Sequence, residues 1–248
     1  MKKQNRVDFA LRTPEIFETE KLLIRKTGDR FIAAKDISNY YFDTLVHGIY
    51  LKDNEYDLDF LLAILNSYPA TAFYRLLHDI KGKVFAKISL DKLGAFPIPN
   101  VTLQKRKLLG ELAKKLTISS GLFNEIILKF SKYFSSSFTL EKLAKKLQNW
   151  HNLEFGEFIK ELNKAIKGNN KVRTKEGHSP IPELTKKDEF EWMDLFEENR
   201  KKAVELQWEI EKTDEEIDLM VYKLYDLTYK EVLIVDEGFG MSKEEYEK

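Results

Sequence analysis

RKTGDR, residues 25–30, sets Arg25, Lys26 and Arg30 around a Thr27-Gly28-Asp29 turn. Cations at a tight turn, where backbone N–H groups also point outward, are suited to holding a phosphate. The plainer alternative is a solvated hairpin tip, with Gly28 there for a positive φ. KGKVFAK, residues 81–87, repeats the theme, with Lys81, Lys83 and Lys87 along a glycine turn and a strand-like stretch. Lysines so placed either track phosphates or guard an edge strand against pairing with another chain. Between the two basic stretches, Tyr40, Tyr41, Phe42 and Tyr50 offer ring faces that could stack on an exposed base. Aromatics in strands are more often core, and the same holds for Trp150, Trp192 and Trp208 on their helical stretches.

Other chemistry is missing from the pattern. His47, His78, His151 and His178 are widely spaced, there is no cysteine, and no metal-ligand motif is present. There is no nucleophile elbow, no phosphate-binding glycine loop and no dinucleotide fingerprint. GFG at 238–240 falls in a polar tail and is set aside. No catalytic residue and no metal site is therefore expected in this chain.

The elements that must carry the basic turns follow from patterning. Leu22, Leu23 and Ile24 predict a strand, the Thr27-Gly28-Asp29 turn follows, and Phe31-Ile32-Ala33 resumes. Residues 39–52 are rich in aromatic and β-branched types. Asp57 or Asp59 caps a helix over LDFLLAILNSYPATAFYRLL, which Pro69 should end or bend. Residues 83–89 alternate as a strand, and Phe96-Pro97-Ile98-Pro99 stops regular structure.

From Thr102 the patterns are helical: TLQKRKLLGELAKKL with Leu108, Leu109, Leu112 and Leu116, then FNEIILKFSKYF, TLEKLAKKLQNW, and FGEFIKELNKAIKG ending near Gly168. Residues 168–185 read as an exposed loop. In 186–226, Phe196, Ala203, Ile210, Ile217 and Leu224 recur every seven residues, while Arg200, Gln207 and Asp214 spoil the companion seam. Thr213-x-x-Glu216 could be a capping box, so one long helix and two shorter ones both fit.

A formal net charge of zero conceals an asymmetry. Residues 187–248 carry 9 basic and 20 acidic side chains, leaving 32 basic and 21 acidic on residues 1–186. A basic body with an acidic tail suits a polyanion-binding part joined to something off the polyanion. The N-terminus has no apolar signal-peptide core, no apolar run approaches the ~18 residues of a membrane span, and the absence of cysteine favours a cytoplasmic setting. No membrane partner is expected.

The order of these parts is more specific than any one of them. PEIFETEKLLIRKTGDRFIAAKD at 14–36 and KGKVFAKISLDKLGAFPIP at 81–99 resemble the opening and end of the TaqI-like C-terminal specificity domain of type II restriction–modification enzymes. FPIPNVTLQKRKLLGELAKKL is similar to the strand-proline-helix junction that follows recognition domains in type I specificity subunits. The run 186–235 resembles the ending of fused adenine-specific methyltransferases of the Eco57I type.

The resemblance implies an α+β fold: a small mixed or antiparallel β recognition domain with flanking helices (1–103), a helical region (104–185), and an acidic part with a long coiled-coil-like helix (186–248). It implies a module that reads double-stranded DNA and is not an enzyme by itself. Arg25, Lys26, Arg30, Lys81, Lys83 and Lys87 are the expected phosphate contacts. A methyltransferase or nuclease part, in cis or as a separate subunit, would hold S-adenosylmethionine and Mg²⁺, and this chain would need no cofactor. On that reading it is a fragment or a separate specificity subunit. The alternative is a helical adaptor that docks protein partners and binds no nucleic acid.

Overall fold

The structure is a computed structural model and describes residues 13–52, 56–78 and 87–248. Two compact units are formed, one by Met1–Lys115 with Thr213–Lys248 and one by Leu116–Lys212.

The first unit holds a three-stranded antiparallel sheet: β1 (Lys21–Arg25) lies between β2 (Ala33–Asp36) and β3 (Val46–Ile49). Leu23 pairs with Ala34 on one side and Gly48 on the other. Leu22 and Ile24 are fully buried, as the period of two in a half-buried strand requires. They form a core with α1 (Leu58–Asn66), whose Phe60, Leu62 and Ile64 are buried. Asp57 caps α1, accepting the Phe60 N–H at 2.7 Å. At the other end of α1 the Asn66 amide clasps β2, accepting the Ala33 N–H at 2.8 Å and donating to its carbonyl at 2.9 Å.

The helix over this run does end ahead of Pro69, two residues before it. The break comes at Ser67, whose extended backbone ends α1 and whose hydroxyl accepts the Ala70 N–H at 3.3 Å to begin α2 (Tyr68–His78). Pro69 then falls in the first turn of α2, where its missing N–H has no helical partner to lose. The strand expected at 83–89 lies mostly outside the described residues. A short helix not expected from the sequence, α3 (Leu90–Gly94), precedes the proline segment and is capped by Ser89.

Two long helices contribute to each unit: α4 (Leu103–Ser137) and α7 (Lys186–Leu224). The patterns TLQKRKLLGELAKKL and FNEIILKFSKYF are one continuous helix, α4. In TLEKLAKKLQNW only α5 (Lys145–Gln148) is α-helical. The helix begun at FGEFIKELNKAIKG, α6 (Phe155–Lys175), runs through Gly168 and shortens the expected loop to 176–185. Glycine inside a helix costs about 1 kcal/mol but does not stop it. The residue that does stop it is Gly177, at φ +80°, with the His178 N–H returning to the Arg173 carbonyl at 2.9 Å.

The core of the second unit is aromatic. Phe130, Phe134, Trp150, Phe158 and Phe196 are buried together, with Trp150 4.5 Å from Phe130 and Phe158 stacked 4.7 Å from Phe196. Trp192 packs partly buried against this cluster, whereas Trp208 is 62% exposed beneath the ammonium of Lys212, contrary to the expectation that it is core.

The 186–226 stretch is one helix. Thr213 starts no second one, because no glycine or proline interrupts the run and Thr213 is itself buried within it. The heptad series is the packed side: Phe196, Ala203 and Ile217 are buried, and Ile210 and Leu224 are half-buried. The acidic tail is also folded. Capping boxes at Thr228/Glu231 and Ser242/Glu245 start α8 (Tyr229–Val235) and α9 (Lys243–Tyr246). Phe239 of the discounted GFG segment packs with Tyr222, Tyr229 and Tyr246. An α+β chain with a small antiparallel sheet and a mostly helical remainder is what the sequence led to.

Candidate nucleic-acid interface

β1 ends at Arg25, which is exposed, and the chain then turns through 26–32 before β2. Gly28 has φ +149°, a conformation that side chains with a Cβ rarely adopt, so its role as a turn residue is structural. Asp29 is not left free to oppose the cations. Its carboxylate pairs with Arg75 of α2, and its carbonyl accepts the Arg75 Nε–H at 2.8 Å. This anchor holds the turn from behind and neutralises its single acid.

The second basic stretch meets the first here. Thr27 and Lys87 form an antiparallel bridge, and the Ile88 N–H donates to the Lys26 carbonyl at 2.8 Å. Lys26 donates its own N–H to the Leu45 carbonyl at 3.0 Å, and His47 of β3 lies with Nε2 2.8 Å from the Ile88 carbonyl. One end of the sheet thus gathers Arg25, Lys26, Arg30 and Lys87. Among the described residues none of these four makes an ion pair within 4.0 Å. Arg30 lies close enough to Asp214 for its charge to favour the ionised carboxyl, against the burial that raises the pKa of that group. Lys81 and Lys83 lie outside the described residues.

Of the aromatic stretch 39–52, residues Val46–Ile49 form β3, while Tyr40, Tyr41, Phe42 and Tyr50 flank that strand and none of them is buried in the core. Tyr40 and Tyr41 are each 65% exposed in the loop before β3, and Tyr41 stacks on Phe17 at 4.4 Å. Phe42 and Tyr50 cover Gly48, where an added Cβ would come within 2.8 Å of the Phe42 ring. This loop is held by Asp36, which accepts the N–H groups of Ser38 and Tyr40 at 2.9 Å each. Asp36 in turn is paired with Lys21, its cross-strand neighbour, and both are buried. Burial opposes the charge on Asp36, yet the Lys21 hydrogen bond and ammonium with the two N–H donors outweigh it and hold the carboxyl below its ordinary range.

Sequence reasoning missed His47, Arg75 and a cleft of about 490 Å³ lined by Tyr56, Asp59, Arg106, Lys107 and Lys114. There, Asp59 bridges Lys35 at 2.9 Å and Lys114 at 3.4 Å, and Arg106 lies over the Tyr56 ring. No spacing signal announces these groups, since each pairing joins distant segments. Among the described residues no group of three or more His, Cys, Asp or Glu is arranged to hold a metal ion, and no helix is long and apolar enough to cross a membrane.

No curated protein and no solved structure matches the chain. Residues 102–221 match a domain of unknown function (DUF8810). Residues 2–98, which contain the sheet, the basic turn and the aromatic loop, match the TaqI-like C-terminal specificity domain.

Proposed function

We propose that the chain is a DNA target-recognition module of a restriction–modification system. The observation that carries the proposal is the coincidence of the specificity-domain match with a sheet end where two basic stretches are bridged through Thr27 and Lys87. Arg25, Lys26, Arg30 and Lys87, with Lys81 and Lys83, contact phosphates and fix the register of the module on the duplex. Bases are read in the major groove, where donor and acceptor patterns distinguish all four pairs. The sheet suits this task because the Arg75–Asp29 anchor and the Asn66 clasp hold its loops to α1 and α2.

A methyltransferase or nuclease part acts on the site so located. It holds S-adenosylmethionine and Mg²⁺, and it flips the target base, because chemistry on a stacked base is inaccessible. This chain supplies position and not catalysis.

Replacing Arg25, Arg30, Lys81, Lys83 and Lys87 by Gln tests the assignment. The slope of log affinity for duplex DNA against log salt becomes shallower by about 0.9 for each phosphate that is no longer neutralised. An unchanged slope rejects these residues as phosphate ligands. The adaptor alternative has the exposed Phe190 and Trp208 of α7 in its favour. It is preferred if the intact chain shows no salt-dependent affinity for any duplex.

A further inference from the structure

Helix α6 carries a feature that neither the basic turn nor the aromatic loop uses. Lys160, Lys164, Lys167, Lys171 and Lys175 recur at intervals of four, three, four and four residues. At 3.6 residues per turn this spacing places all five on one face. All five are exposed, and Phe158, Ile159, Leu162 and Ile166 bury the opposite side. The row is about 22 Å long at ~1.5 Å per residue.

Solvated helix faces usually intersperse both signs and gain from oppositely charged pairs four residues apart. Residues 160–175 instead hold six basic side chains and one acid, Glu161. The like-charged neighbours 160/164, 167/171 and 171/175 each cost the helix about 0.2–0.5 kcal/mol. Partners relieve little of this. Lys164 is 3.7 Å from Glu161, which Lys146 shares at 3.6 Å, and Lys167 is 3.1 Å from Glu183. The lysines in these pairs are largely exposed, so the pairs are weak. Among the described residues Lys160, Lys171 and Lys175 make no ion pair within 4.0 Å. The one other acid of this helix, Glu157, precedes the row, and Glu154 and Glu176 flank the helix as its caps.

Side-chain hydrogen bonds tie this part of α6 to its neighbouring segments. The Asn170 side chain donates to the Ile181 carbonyl at 2.8 Å and accepts its N–H at 2.7 Å, and Asn169 donates to the Thr139 carbonyl at 2.9 Å.

We propose that this lysine face of α6 is a second DNA-binding surface, gripping the phosphate backbone of duplex without reading its sequence. Over 22 Å of duplex axis one strand presents about six phosphates, a number comparable to the lysines in the row. No aromatic side chain belongs to the row, so it has no platform for unstacked bases, and backbone binding is the chemistry left. The face belongs to the part of the chain matched by the domain of unknown function, beyond residues 2–98. Choosing DNA among polyanions rests on the recognition reading above.

The experiment measures the affinity of the full chain for a duplex several turns long over a series of salt concentrations. Changing all five lysines to Gln makes the salt slope shallower by about 2 to 4, at ~0.9 per phosphate released. Changing all five to Arg leaves it close to the original, which separates charge from fold. If the five-fold Gln variant does not fold, the pair Lys160→Gln and Lys171→Gln carries the same test with a change of about 1 to 2. An unchanged slope in the Gln variant overturns the proposal while leaving the basic turn intact. A slope abolished in the α6 variant but kept in the Arg25, Arg30, Lys81, Lys83 and Lys87 variant supports this face and rejects the other. Loss of binding to polyglutamate with an unchanged DNA slope assigns the face to an acidic protein surface and overturns the proposal.

Discussion

Thr139 pays a conformational cost that its neighbours make unavoidable. It ends α4 at φ +51°, in the left-handed region where a β-branched side chain is strained by roughly 1–2 kcal/mol. The conformation is kept because the Leu140 N–H returns to the Ser135 carbonyl at 2.8 Å and the Thr139 carbonyl accepts from Asn169. None of these bonds uses the threonine side chain, which is exposed. Thr139→Gly therefore keeps them and removes the strain, less the extra freedom glycine gains in the unfolded chain. The expected result is a gain of about 0.5–1 kcal/mol in denaturant unfolding, read as a higher midpoint at an unchanged m-value. The reciprocal change, Gly177→Thr at φ +80°, should lose a similar amount. A Thr139→Gly protein no more stable than the parent would show that the strain is relieved elsewhere.

At the scale of elements, the pair Lys21–Asp36 ties β1 to β2 and both to the loops around them. Lys21 also donates to the Phe17 carbonyl at 2.5 Å, so its buried ammonium is well satisfied. Removing the carboxylate strands that charge, and Asp36→Ala should cost about 3–5 kcal/mol. The double change Lys21→Met with Asp36→Leu should recover much of this, though not all, because the Ser38 and Tyr40 N–H groups then lack their acceptor. Recovery no better than the single variant would mean that those N–H bonds, and not the ion pair, hold the strands in register. The pair also shows where sequence reading stops. Leu22 and Ile24 announce β1 by type and spacing, but nothing announces a buried Lys21, since lysine is almost never buried unless paired across distant chain. The seam of α7 is legible because a seven-residue period is a local signal. The end of α6 is not, because Gly168 and Gly177 are alike in sequence, and only the positive φ of the second makes it a stop. Likewise the cations of RKTGDR are legible, whereas their union with Lys87 is not, because the Thr27–Lys87 bridge is a non-local pairing.

Across the whole molecule the two units should answer pH in opposite directions. In the first, Asp218 of α7 is pushed up to about 7 by burial, with Asp214, Asp236 and Glu215 adding to the effect and the Tyr68 N–H, at 2.8 Å, opposing it. An unfolded aspartate titrates near ~3.9, so between that pH and 7 the folded state binds more protons. The stability this contributes is complete below the unfolded value and is lost as pH rises through 7. In the second unit His151 is buried against Phe123 and Trp150, its Nδ1 has no hydrogen-bond partner among the described residues, and burial lowers its pKa. There the unfolded state binds more protons, so stability is complete above ~6.5 and is lost as pH falls towards the lowered value. Amide exchange compared at pH 5.5 and 7.5, corrected for intrinsic rates, reads each unit separately. Protection around Leu22 and Ile24 should fall with rising pH by about 1 kcal/mol, a figure reduced for the partial solvent exposure of Asp218, while protection around Leu162 and Ile166 should rise. Asp218→Asn, which keeps an oxygen for the Tyr68 N–H, should abolish the first trend and leave the second. If both units instead shift together in the parent and in Asp218→Asn, neither buried group governs the pH response, and the net −11 of residues 187–248 against +11 on the rest becomes the better explanation.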